Sequence, residues 1–148
     1  MIEYKDVTKR YGMPSAQRKS RISELLDFAE LTERADEKTS NYSGGMKRRL
    51  MIIKALMHSP ELLFLDEPTV GLDVTARRKI WELLRGMNAK GLTIFLTTHY
   101  LEEAQALCSK VGLLKIRLDT PQNIIDQSGE INLEEAFIRL ISRRLDDE

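Results

Sequence analysis

Two short apolar runs, each ending abruptly on polar chemistry, constrain this chain more than any other feature. Leu62-Leu63-Phe64-Leu65 runs straight into Asp66-Glu67, and Leu92 to Leu96 runs into Thr97-Thr98-His99. The span Glu61 to Asp66 is short and nearly all apolar, which suits a strand covered on both faces, as in a parallel sheet. Between the runs, Ala76, Ile80, Leu83, Leu84 and Met87 form a helical stripe that Asp73 can cap and Gly91 breaks. After them come a helix from Tyr100 to about Ser109 and another short strand over Val111 to Leu114. Strand, helix, strand, helix, strand is the rhythm of an α/β fold.

The flanks fit around that centre. Ile2, Tyr4 and Val7 can share a strand-like surface before the turn at Tyr11-Gly12. Pro14 and Ser15 open a helical stretch in which Ile22, Leu25, Leu26 and Ala29 recur at helical spacing, and residues 32–41 are polar and read as a loop. Ser43 is placed as the N-cap of a helix to about Met57, with Met46, Leu50, Ile53 and Leu56 or Met57 inward. Ser59-Pro60 stops it. Beyond the strands, Pro121 begins a short helix, and Asn132-Leu133-Glu134-Glu135 has the form of a capping box before an amphipathic helix through Phe137, Leu140 and Ile141. The last, charged residues are expected to fray. There is no internal repeat.

Composition narrows the function classes. The chain has 148 residues, enough for one ordinary domain, and its formal net charge is zero. Nothing therefore favours a bulk nucleic-acid or anionic-membrane role. No apolar run approaches the roughly 20 residues that cross a bilayer, and the N-terminus does not read as a signal peptide. The single cysteine, Cys108, excludes an internal disulfide and a cysteine-only zinc site, and a reducing, cytoplasmic setting fits it best. With only His58 and His99, a histidine-rich metal site is not expected.

The chemistry sits where the apolar runs end. Ligands of open parallel sheets bind at the carboxyl ends of the strands. Asp66 there can hold magnesium, usually through water, while Glu67, one residue on, points elsewhere and can polarise an attacking water. Asp-Glu alone reads as readily as a polar strand end with an acidic turn; four apolar residues before it and Pro68-Thr69 after it favour the functional reading. Ser43-Gly44-Gly45 at a helix start lets backbone N–H groups approach an anion, helped by the helix dipole, but is equally an N-cap serine with flexible glycines. Lys47, Arg48 and Arg49 read as a solvated face. His99 can bond a terminal phosphate oxygen, or be a surface or helix-capping histidine. Asp73 reads as an N-cap first and an interface residue second.

Their order adds what no single motif carries. From about Tyr42 to Leu114 the chain resembles the ATP-binding subunit of ABC transporters. Tyr42-Ser43-Gly44-Gly45-Met46 resembles the signature motif, with Met46 where glutamine is more usual. Leu62 to Asp66 resembles the Walker B strand, Glu67 the catalytic glutamate, Gly71-Leu72-Asp73 the D-loop and His99 the switch histidine. The wording Thr98-His99-Tyr100-Leu101-Glu102-Glu103-Ala104 is most similar to bacterial ABC-2 type export subunits, which serve drugs, polysaccharides or lipids. The resemblance implies ATP and Mg2+ as cofactors, with Tyr11 stacking on adenine, Ser43, Gly44, Gly45, Met46 and Asp73 at the nucleotide, Asp66 toward the metal, and Glu67 and His99 as catalytic groups. It also implies a head-to-tail dimer with an ABC ATPase subunit, a transmembrane permease partner, no nucleic acid, and a place on the cytoplasmic face of the cell membrane.

One element of that family is missing. No lysine stands in a G-x-x-x-x-G-K-[ST] frame, so the Walker A loop is absent, and Gln17, the only glutamine before the signature, has a helical context unlike the glutamine loop. Tyr11-Gly12 passes directly into Met13-Pro14, and can belong either to the family's first strand or to its helical subdomain. The expected fold is a P-loop NTPase-like α/β parallel sheet with helices, incomplete because the phosphate-loop strand is absent, plus a small helical subdomain. Within a single abridged domain over 1–148, the helical subdomain with the signature helix spans 13–57, the Walker B to switch-histidine core 58–115, and the C-terminal tail 116–148. Ladder groups on Leu92–Thr97 and Val111–Leu114 are expected to be unpaired or rearranged, and a strand hairpin near residues 114–117 to be shortened. The functional expectation is an exporter ATPase subunit in a form that does not bind and hydrolyse ATP alone. The alternatives are a non-catalytic partner donating its signature motif, or a non-functional deleted fragment.

Overall fold

A computed structural model describes residues 14–113 and 117–146. The expected first strand over 1–12 and the proposed adenine-stacking Tyr11 lie outside these residues. In chain order the elements are α1 (Ser15–Phe28), two 3-10 turns (Thr32–Arg34 and Thr39–Asn41), α2 (Gly44–Ala55) with a 3-10 extension (Leu56–His58), and β1 (Leu62–Asp66). Then follow α3 (Val74–Ala89), β2 (Thr93–Thr97), α4 (Leu101–Leu107), β3 (Val111–Leu113), β4 (Arg117–Asp119), α5 (Pro121–Ser128) and α6 (Leu133–Asp146). The expected α/β alternation is present.

The chain divides into two compact units: residues up to Phe64 together with Thr69–Phe95, and Leu65–Pro68 together with the chain from Leu96 onward. In the first unit, helices α1, α2 and α3 supply the core, with Leu25, Ile52, Ile53, Ile80, Leu84 and Met87 buried. The helix starts follow local chemistry. Ser43 Oγ accepts from the Met46 N–H at 3.2 Å and Asp73 Oδ1 from the Ala76 N–H at 2.9 Å, each satisfying an otherwise orphaned amide. Ser59, the residue before Pro60, turns the chain out of the 3-10 extension with φ 48°.

The buried face of α2 and its extension keeps Ile53, Leu56 and Met57 as expected, and adds Arg49 and Ile52. Met46 and Leu50 are half-buried, whereas Arg49, Ile52 and Ile53 are buried. Arg49 therefore does not belong to a solvated face with Lys47; only 8% of it is exposed. Its guanidinium donates to the Ala29 carbonyl at the end of α1 and to Glu30 Oε2. A helix end carries partial negative charge and unsatisfied carbonyls, so a cation reaching it can be buried without being left uncompensated.

β1 and β2 form a two-stranded sheet. At its start the Thr93 N–H donates to the Glu61 carbonyl at 3.0 Å, and at its end the Glu67 N–H donates to the Thr97 carbonyl at 3.1 Å. The strands thus begin together and end together, so they are parallel. The described residues do not cover both faces. Leu63 is buried, but Leu62, Phe64 and Phe95 are 45, 68 and 58% exposed. Strand side chains alternate between faces, so the composition suits two covering layers while the described residues cover one face.

In the second unit, Ala104, Val111, Leu113, Ile124, Ile125, Leu133 and Ala136 form one core. β3 pairs antiparallel with β4, Gly112 opposite Leu118. The hairpin pairs one edge of β3; among the described residues no further strand pairs with the other edge of β3 or with the second edge of β2, as expected. Thr120 caps α5, and Asn132 Oδ1 accepts from the Glu135 N–H at 2.9 Å, the forward half of the expected capping box. Gln105 of α4 accepts from the Leu133 N–H at 2.9 Å, joining α4 to the start of α6.

Candidate functional site

The second unit gathers the polar ends of the two apolar runs. Asp66 closes β1, and its Oδ1 accepts from the Thr97 hydroxyl at the end of β2. Glu67 then leaves the pleat with φ 46°. A left-handed backbone at a non-glycine residue costs about 1–2 kcal/mol; it redirects the side chain from the strand's alternation. The Glu67 N–H remains tied to the Thr97 carbonyl, which fixes where that turn occurs. Glu67 Oε2 then approaches His99 Nδ1 at 2.9 Å.

His99 is held from its other side. Its ring lies 4.1 Å from the Tyr100 ring, tilted by 41°, and Thr98 Oγ1 accepts from the Tyr100 N–H at 3.0 Å at the start of α4. The imidazole is 58% exposed and the Glu67 side chain 31%. The imidazole thus remains open to solvent, while the Glu67 side chain is partly covered, with Oε2 buried at the contact. A carboxylate so placed can order a water, and an imidazole beside it can steer the same carboxylate or an incoming anion.

The first unit assembles the other candidates. Ser43 caps α2 through its Oγ lone pair, leaving the hydroxyl proton as a donor. Gly44 and Gly45 follow, and both lie against the Leu72–Ala76 segment that Asp73 caps. A Cβ on Gly44 would meet Leu72 Cδ2 at 3.6 Å, and one on Gly45 would meet Ala76 Cβ at 2.8 Å. The second distance is closer than side chains pack, so Gly45 is required by neighbouring protein independently of any anion. Met46 is half-buried. The sites of Ser43, Gly44, Gly45, Met46 and Asp73 are therefore neighbours in one unit, and those of Asp66, Glu67 and His99 in the other.

Three residues were not singled out from sequence for these contacts. Thr97 binds Asp66; its place at the end of the second apolar run, level with Asp66, is the signal that marks it. Arg49 and its acceptor Glu30 carry no such signal, because a Lys-Arg-Arg run on a helix normally faces water.

The donor set fits only part of a magnesium–ATP complex. Asp66 offers one carboxylate at the strand end, which is in keeping with an ion that keeps most of its waters. Among the described residues no group of three or more His, Cys, Asp and Glu is arranged to hold a metal. No glycine-rich loop with its lysine exists in the sequence to cradle the phosphates. These residues do not by themselves fit the complete complex.

Comparison with known proteins places these features. The family model described as "ABC transporter" matches residues 3–70. The chain is 47% identical over 106 residues to the linearmycin resistance ATP-binding protein LnrL of Bacillus subtilis, covering 72% of this chain and 34% of that protein. It is 42% identical over 142 residues to the Nod factor export ATP-binding protein I of Cupriavidus metallidurans, covering 93% of this chain and 47% of that one. With the protein of the same name from Paraburkholderia xenovorans it shares 49% over 131 residues, 86% of this chain and 43% of the relative. The chain thus spans less than half the length of each of these relatives. A solved structure of an ATP-binding subunit of an ABC transporter superposes with a TM-score of 0.71 at 31% identity, over 90% of this chain and 58% of that one. A second, the ADP conformation of an ATP-binding cassette, has a TM-score of 0.72 at 21% identity, a likeness of fold alone.

Proposed function

We propose that this chain, which belongs to the ABC transporter ATP-binding family and spans part of its domain, is the signature-to-switch portion of an export ATPase subunit. The carrying observation is that Asp66, Glu67, Thr97 and His99 meet at the paired ends of β1 and β2, while the sequence contains no phosphate loop. In this reading the positions carry the roles they would have in an intact subunit, Glu67 to order the attacking water, His99 to steer it or the terminal phosphate and Asp66 to stand toward magnesium, while Ser43-Gly44-Gly45 meets phosphate held by the paired subunit. Met46 and Asp73 border that contact, and Tyr11 stacks on adenine. The helical subdomain is 13–57, the catalytic core 58–115 and the tail 116–148.

Without a phosphate cradle the chain does not bind and turn over ATP alone. It works with an intact ABC ATPase subunit, paired head to tail, beside a transmembrane permease on the cytoplasmic face of the membrane. Among the described residues no helix is long and apolar enough to cross a membrane, which is in keeping with a peripheral place. The names of the relatives support export without identifying a cargo for this chain, and the ABC-2 type rests on the wording Thr98-His99-Tyr100-Leu101-Glu102-Glu103-Ala104 alone.

Phosphate release by the purified chain, free of any longer ABC protein, tests the catalytic half of the reading. Release at the no-enzyme background, equal in Glu67→Gln, is expected; turnover that Glu67→Gln abolishes would overturn it. A pull-down with an intact ABC subunit tests the other half, which stands if ATP increases association and falls if it does not.

A further inference from the structure

Helices α2 and α3 run side by side in the same direction, and two successive layers of contact join them. The first layer is Gly45 against Ala76, where no side chain fits between the backbones. One helical turn further along each helix, Arg49 and Lys79 reach the same atom: Glu30 Oε2 lies 2.6 Å from Lys79 Nζ and 3.3 Å from Arg49 Nη1. Residues three and four apart share one helix face, so both layers belong to one seam.

Glu30 is unusual for its position. It follows α1 in the left-handed region, with φ 53°, where a helix end most often places glycine. The chain accepts that conformation with a carboxylate that accepts from two cations on two other helices. Arg49, largely buried, also donates to the Ala29 carbonyl at the end of α1. The charge at Glu30 therefore ties the end of α1 to both α2 and α3.

We propose that Arg49 is a positioning residue: through Glu30 and Lys79 it locks the Ser43-led start of α2 to the Asp73-led start of α3, so that the two motifs move as one rigid element. This rests on the proposed role of Ser43-Gly44-Gly45 at phosphate for its functional meaning, but not for its geometry. Displacement of the Asp73 loop then carries Ser43 with it, and a variant that loosens the seam presents the glycine pair in many orientations instead of one.

Spin labels at the exposed positions 47 and 75, in the full chain with Cys108→Ser, test the rigidity directly. The expected result is one narrow distance distribution that becomes about twofold wider in Arg49→Met and in Lys79→Met, and is narrow again in Lys79→Arg. Lys79 is part-exposed, so its variants remain folded even if Arg49→Met does not. An unchanged width in folded Lys79→Met overturns the proposal. The same variants are then measured for ATP-dependent association with an intact ABC subunit, alongside their thermal midpoints. A roughly tenfold weaker association in Lys79→Met at an unchanged midpoint, restored in Lys79→Arg, supports the positioning role; unchanged association overturns it. If the unmodified chain shows no ATP-dependent association, the functional reading fails, while the distance widths still decide the rigidity of the seam.

Discussion

Glu67 Oε2 stands 2.9 Å from His99 Nδ1, and the backbone of Glu67 is left-handed at φ 46° where the contact is made. The strand ends, the turn and the contact are one device. The ladder bond from the Glu67 N–H to the Thr97 carbonyl pins the turn, and the turn aims the carboxylate. Comparing Glu67→Gly with Glu67→Ala isolates its conformational cost, since both lose the carboxylate. The glycine variant is expected to be more stable by about 1 kcal/mol, read from denaturant midpoints. Equal stabilities would mean that the left-handed turn carries no cost here.

Gly45→Ala is expected to destabilise the chain by about 1–3 kcal/mol, as overpacking does. This opposes helix propensity, which favours alanine by about 1 kcal/mol. The added methyl would lie 2.8 Å from Ala76 Cβ. The double variant Gly45→Ala/Ala76→Gly moves the methyl to the other helix and should recover part of the loss. Chemical denaturation of the three variants reads the effect, and a neutral or stabilising Gly45→Ala would contradict the close approach.

The Glu30 seam has a definite pH sign. The Lys79 ammonium, first through its hydrogen bond and then its charge, holds the Glu30 carboxyl below its ordinary range, with Arg49 adding to this and burial opposing it. Glu82 lines the same cavity as Glu30, Arg49 and Lys79. A carboxylate with a lowered folded pKa stabilises the fold above its unfolded pKa, and that contribution disappears as pH falls through the folded value. Because the Glu30 side chain is 59% exposed, the contribution is no more than about 1 kcal/mol. Lys79→Met should therefore be less stable than the unmodified chain near neutrality, and the gap should close in acid at roughly pH 2, below the carboxylate range. A gap independent of pH would assign the loss to packing.

Cys108 is expected to be a slow thiol. Burial first, and then the charge of Glu103, raise its pKa above the ordinary thiol value, so the reactive thiolate is scarce at neutral pH. Alkylation should be slower than that of a solvent-exposed cysteine peptide at the same pH. Glu103→Gln, removing the nearby charge, should speed it modestly without restoring the peptide rate. An alkylation rate equal to that of the peptide in the unmodified chain would refute the shift.

The exposed sheet face predicts dye binding. Phe64 and Phe95 meet with ring centroids 5.5 Å apart and remain 68 and 58% exposed, a patch of the kind that binds apolar probes. Phe64→Ser/Phe95→Ser should lower the fluorescence of an anilinonaphthalene probe. Unchanged fluorescence would place the binding elsewhere.

Much of the fold was legible because its causes are local. The caps Ser43, Asp73 and Asn132 use side-chain oxygens on amides three residues away, and the stripe Ile80, Leu83, Leu84 and Met87 repeats with the helix. Arg49 was misread because burial of a cation depends on an acceptor distant in sequence, here Ala29 and Glu30. The sheet face that the described residues leave open was not legible because an apolar run records what a strand is suited to, not which layers surround it.

The sequence by itself determined the α/β order, the family and the identity of the polar residues at the ends of the apolar runs, since composition, spacing and caps act over a few residues. Only the tertiary structure decided that Thr97 would hold Asp66, that Glu67 would turn left-handed toward His99, and that Gly45 would leave room for Ala76. Those depend on strand register and on how closely helices approach, quantities fixed by packing between segments far apart in the chain.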